Sequence, residues 1–135
     1  MNKKDTKTEE KNSKKNVIAI TKGSVISIGI SIILIFIMSV ILTFSNVSET
    51  IIPALVIVIS AISILVGSVT ATFTMRRNGL VNGAIIGIVY ISFIYILSSI
   101  MIADFNLNIK SLVMLVVSII TGMVGGIMGV NIRKN

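Results

Sequence analysis

The chain has 135 residues, 54% of them hydrophobic and only 13% charged, with a formal net charge of +7. A soluble domain carries about 25% charged residues, so this is a membrane composition, and the positive charge is no argument for nucleic acid. Without cysteine or histidine, the chain lacks disulfides, thiol nucleophiles, the usual zinc ligands and the ordinary neutral-pH proton shuttle.

Residues 1–16, MNKKDTKTEEKNSKKN, hold six lysines, three acids and no apolar run. Such a segment cannot bury a core and reads as a disordered, solvated tail. Its lysines, set beside a membrane helix, make anionic lipid a candidate partner, though Asp5, Glu9 and Glu10 dilute that attraction.

Residues 17–135 form the membrane domain. VIAIT at 17–21 leads into a first apolar segment at about 23–44, followed by others at about 51–75, 80–103 and 111–130. A helix needs about 20 residues to cross the hydrocarbon core, and no segment has a charged side chain in its middle. The first is too long for the apolar core of a signal peptide, and no A-x-A-like site follows it, so it reads as an uncleaved helix. The loops are short, which favours neighbouring helices running antiparallel. The expected fold is all-α: a polytopic bundle of four transmembrane helices in two helical hairpins. Thr50 is the expected N-cap of the second helix, with Pro53 in its first turn, and Asn78-Gly79 is a strong turn dipeptide.

Lysine and arginine are unevenly placed. Seven lysines precede the first helix, Arg76 and Arg77 stand between the second and third, and Arg133 and Lys134 close the chain. That puts eleven basic residues on one side, and only Lys110 on the other. The positive-inside rule then predicts a multi-pass plasma-membrane protein with both termini cytoplasmic.

On this topology all ten glycines fall in or beside the cytoplasmic half of the membrane. Small residues let transmembrane backbones approach closely, and each helix carries such a row: Gly23/Ser27/Ser31, Ser63/Gly67/Ala71, Gly79/Gly83/Gly87 and Ser118/Gly122/Gly126. A second row on the last helix, Gly125/Gly129, lets it pack on two sides. The expectation is a tight inner half built by Gly67, Gly79, Gly83, Gly87, Gly122, Gly125, Gly126 and Gly129, with packing inside the chain as the first use. A homo-oligomer or a partner membrane protein is the competing use. Gly79 has a further reading, as the C-cap of the second helix.

Ionisable groups in mid-membrane mark transport sites, and here the charges sit only at the edges. Lys22, Arg76, Arg77, Asn82 and Asn131 fall at similar depth near the cytoplasmic surface and are the candidate polar cluster. Snorkelling and topology are the simpler role for the basic members, and Asp104 reads as the end of the third helix. Tyr90, near mid-membrane, needs a hydroxyl partner such as a neighbouring Ser or Thr. There is no phosphate loop, metal spacing, catalytic dyad or lipidation cysteine, so neither an enzyme nor a cofactor is expected.

VGSVTATFTMRRN (66–78) and VGGIMGVNIRKN (124–135) both run from small residues to a basic pair and Asn, which hints at a parallel duplication of one hairpin. The stretches RRNGLVNGAIIGIVY (76–90) and GMVGGIMGVNI (122–132) resemble the YrzE-like small integral membrane proteins of Gram-positive bacteria. The resemblance covers roughly residues 23–132. It implies four membrane helices and brings no activity, cofactor or substrate. The leading functional expectation is a structural or accessory protein that packs against itself or another membrane protein. A small uncoupled transporter or channel lined by Ser, Thr and Asn comes second, and a holin-like protein third.

Overall fold

The computed structural model describes residues 3–75, 78–102 and 108–134. They form four helices: α1 (Lys3–Phe44), α2 (Ile52–Phe73), α3 (Gly79–Ile102) and α4 (Ile109–Lys134). All four are long and apolar enough to cross a membrane. A 3-10 turn, Glu49–Ile51, leads into α2.

The helix boundaries differ from the expected ones for local reasons. The segment read as a disordered tail is helical from Lys3. Lys and Glu are good helix formers, and no glycine or proline interrupts the chain before Gly23. Thr6 and Thr8 donate back to the carbonyls of Lys3 and Lys4, at 3.4 and 2.9 Å. The segment still buries nothing, since residues 3–18 are all exposed and burial starts at Ala19. Thr50 does not cap α2. Its hydroxyl pairs with that of Ser48 at 3.0 Å, Ile51 takes the N-cap position, and Pro53 sits in the first turn. Asn78 takes the left-handed conformation between α2 and α3, with φ of 58°, and no described glycine has positive φ. Gly79 is therefore the first residue of α3 and not a left-handed C-cap of α2. α4 starts at Ile109, with the Ser111 and Leu112 amides both reaching the Asn108 carbonyl.

α4 packs mainly on α3 and then on α2, while α1 packs chiefly on α2. The core occupies one half of the bundle. Buried positions lie between Ala19 and Ser31 on α1, Ile59 and Thr72 on α2, Gly79 and Tyr90 on α3, and Ser118 and Gly129 on α4. Among the described residues of 32–58, 91–101 and 108–117, none is buried. The buried half adjoins Lys22, Arg133 and Lys134 and is called the basic end below; the opposite half splays. Side-chain volume accounts for the asymmetry. Gly, Ser and Ala bring helix axes together, whereas Ile, Leu, Met and Phe hold them apart.

Candidate functional site

The tightest surfaces are built from glycine against backbone. A Cβ on Gly83 would meet the Gly122 carbonyl oxygen, and one on Gly122 would meet that of Gly83. Gly79 and Gly126 stand in the same reciprocal relation one turn away, and Gly87 faces the Ser118 carbonyl. The second face of α4 lies on α2: a Cβ on Gly125 would be 2.8 Å from the Leu65 carbonyl oxygen, and one on Gly129 would be 2.6 Å from that of Val69. Gly67 abuts Ser27 and Gly23 on α1, and a Cβ on Gly23 would be 2.5 Å from that of Ala71. Both glycine rows of α4 are thus occupied by helices of the same chain. A Cβ on Gly29 would meet no other element within 4 Å among the described residues.

Hydroxyls fill the spaces between these contacts. Ser27 donates to the Gly23 carbonyl at 3.0 Å, Ser63 to Ile59 at 2.8 Å, Thr72 to Ser68 at 2.6 Å and Ser118 to Met114 at 2.7 Å. Each bond stays within its own helix, the usual arrangement for Ser and Thr in an apolar setting. The Ser24 and Ser68 hydroxyls are buried with no hydrogen-bond partner among the described residues. Tyr90, 1% exposed, donates to Ser60 of α2 at 3.4 Å. The expected hydroxyl partner is thus present, at the long limit for such a bond.

The candidate polar cluster divides. Lys22 and Asn131 are exposed, while Asn82 is buried at 8% exposure in the first turn of α3. Arg76 and Arg77 lie outside the described residues, as do Asp104 and Phe105. Lys22 instead lines a cleft with Lys15 and Arg133, and neither Asn82 nor Asn131 lines it. Arg133 reaches from the last turn of α4 to the end of α2, where its guanidinium donates to the carbonyls of Phe73 and Thr74 at 3.1 and 2.8 Å. A helix C-terminus leaves such carbonyls unpaired and carries the negative end of the dipole. Arg133 satisfies both demands at once.

Two connected clefts share Lys15, Asn16, Thr74, Met75 and Arg133. The outer one, about 900 Å³, adds Asn12 and Asn78. The inner one, about 550 Å³, runs between α1 and α2 along Ile18, Ala19, Ile26 and Ala71. Among the described residues, no acidic side chain lines either cleft.

A model of a family described as a protein of unknown function, DUF3792, matches residues 16–129. The chain belongs to the DUF3792 family. No curated protein and no solved structure matches it. The DUF3792 match takes in all the small-residue rows and stops just short of Asn131 and Arg133.

The splayed half of this DUF3792 chain carries two further clefts. One, about 450 Å³, lies between α1 and the start of α2, lined by Ile35, Met38, Leu42, Leu55 and Val56. The other, about 600 Å³, lies between α3 and α4, lined by Ile91, Tyr95, Ile96, Leu112 and Leu115. Sequence reasoning missed Lys15 and Arg133. Lys15 falls in the segment expected to be a disordered tail, and Arg133 among the edge charges expected to snorkel or set topology. The available signal for Arg133 is a basic residue in the last turn of α4, a position from which it can reach helix-end carbonyls.

Proposed function

We propose that this chain is a multi-pass plasma-membrane protein that acts by helix packing, as a structural or accessory protein and not as an enzyme. Its four spans form two antiparallel hairpins with both termini in the cytoplasm. The glycine contacts support the antiparallel arrangement, because Gly79, Gly83 and Gly87 pair in turn with Gly126, Gly122 and Ser118. The excess of basic residues at the glycine-rich end supports the orientation. The resemblance of 76–90 and 122–132 to YrzE-like proteins of Gram-positive bacteria belongs to the same reading.

One observation carries the functional part. The small-residue faces are consumed within the chain, while the splayed half leaves apolar helix faces and two clefts unfilled by the described residues. In lipid, van der Waals packing is the main attraction between helices, so an unpacked, cleft-bearing half is where another helix gains most. The surface used is then the splayed half, and the occupant is a second copy or another membrane protein. A pore is less well supported, since the Ser27, Ser63, Thr72 and Ser118 hydroxyls donate to their own helices. No spanning segment carries a charge to couple transport.

The test is the mass of the native complex, extracted in mild detergent. The reading expects an oligomer or a defined co-purifying protein. A monomer alone, from membranes where the chain is expressed at its natural level, contradicts it.

A further inference from the structure

We propose that the paired clefts at the basic end bind one anionic glycerophospholipid, its phosphate held by Lys15, Lys22 and Arg133 and an acyl chain laid between α1 and α2. The inference rests on the membrane reading above. It adds a ligand and a site separate from the splayed half.

Three features of the clefts select this occupant. The first is the polarity gradient. Along α1, Lys15, Ala19, Lys22 and Ile26 recur at intervals of three and four, so they share one helix face. From Lys15 to Ile26 that face covers about 16 Å of helix. The outer cleft is lined mostly by polar groups, among them Asn12, Lys15, Asn16 and Asn78, while the inner one adds Ile18, Ala19 and Ile26 of α1 and Ala71 of α2 around Lys22. A free phosphate would use only the polar part, whereas a phospholipid matches both parts in the same order.

The second is charge. Lys15, Lys22 and Arg133 line the inner cleft with no acidic side chain beside them among the described residues. The nearby carbonyls of Phe73 and Thr74 would repel an anion, but Arg133 covers them through its donated hydrogen bonds. A guanidinium has five N–H donors in a planar fork, and this one is held in place by α2. It is therefore preorganised beside the cleft and still carries a full positive charge.

The third is position. The clefts lie where α1 passes from its exposed, lysine-rich turns into its apolar span. Basic pockets between transmembrane helices at that level bind lipid headgroups, and each nearby Lys or Arg strengthens the attraction.

The test uses the full chain, purified in mild detergent and offered phosphatidylglycerol or phosphatidylcholine of the same acyl composition. Retained lipid is counted by native mass spectrometry. The wild-type chain should hold one phosphatidylglycerol in preference to phosphatidylcholine. Lys15→Gln and Lys22→Gln should each weaken that binding about fivefold. Lys3→Gln/Lys4→Gln removes two charges away from the cleft and should leave it unchanged. Equal retention of the two lipids overturns the proposal, as does a loss from Lys3→Gln/Lys4→Gln as large as that from the cleft variants. Binding of inorganic phosphate with the same lysine dependence, but no retained phosphatidylglycerol, overturns the lipid assignment. Carbonate-resistant membrane association of every variant checks the membrane reading separately.

Discussion

Gly83 of α3 and Gly122 of α4 are reciprocal neighbours: a Cβ on either would land on the carbonyl oxygen of the other. The obstacle is backbone on both sides, so no rotamer change relieves it. Any side chain at these positions must push the two helices apart. Gly83→Ala and Gly122→Ala should each destabilise the bundle by about 1–3 kcal/mol, the range for overpacking a close-packed interface. Gly29→Ala is the internal control. No other element among the described residues lies within 4 Å of that Cβ position, so the change should be neutral or stabilise by up to about 1 kcal/mol through helix propensity. Unfolding in mixed detergent micelles compares all three. Equal losses at Gly29 and Gly83 would contradict the packing described.

Arg133 closes the end of α2 from a distance of 59 residues along the chain. Arg133→Gln should fray that end, with faster hydrogen exchange of backbone amides in the last turn of α2. Arg133 is exposed, so the cost in global stability should stay below about 1 kcal/mol. A large loss of global stability with no local change in exchange would show that Arg133 acts in some other way.

Tyr90 and Ser60 join α3 to α2 by a hydrogen bond of 3.4 Å. A bond this long should contribute at the low end of the usual net range, about 0.5 kcal/mol. Tyr90→Phe and Ser60→Ala should each cost about that much, and the double variant no more than either alone. Additive losses would mean that the two hydroxyls do not act as a pair.

Ser68 supplies the opposite case. Its hydroxyl is fully buried and has no hydrogen-bond partner among the described residues. Removing an unpaired polar group relieves its desolvation cost, so Ser68→Ala should be neutral or stabilising. The site has no room for a larger side chain, because α2 and α4 approach so closely here that the Ser68 Cβ stands 2.9 Å from where a Cβ on Gly125 would lie. Ser68→Leu should therefore force α2 and α4 apart. Thermal unfolding of both variants, set against the wild type, decides the matter; a clear loss from Ser68→Ala would require a hydrogen bond to that hydroxyl.

Much of this arrangement was legible in residue spacing. Apolar runs of spanning length located all four helices, and the four-residue spacing of small residues marked the half that holds the core. Spacing also identified α4 as a helix with two small faces and matched one of them in depth to the glycines of α3, though not that α2 would occupy the other. A row of glycines is an equally good surface for any helix, so its partner is decided by chain connectivity and three-dimensional register. The helical start of α1 was hidden because composition reports whether a segment can bury a core, and residues 3–18 bury none. Local propensity and the absence of a breaker suffice to continue a helix already anchored from Ala19 onward. The Arg133 contact was hidden for another reason. It joins two helix ends through the relative heights of α2 and α4, which the sequence does not state.

With the glycine-rich half closed within the chain, the splayed half is the surface proposed for another helix. A photo-crosslinking residue tests it in intact membranes, placed at Ile35 or Ile96 beside the splayed clefts, or at Ile85 or Val124 on the outer surface of the glycine-rich half. All four positions are exposed. Discrete higher-mass adducts are expected from Ile35 or Ile96, and only background from Ile85 and Val124. Adducts of equal yield from Ile85 or Val124, or no adduct from any position, would contradict it.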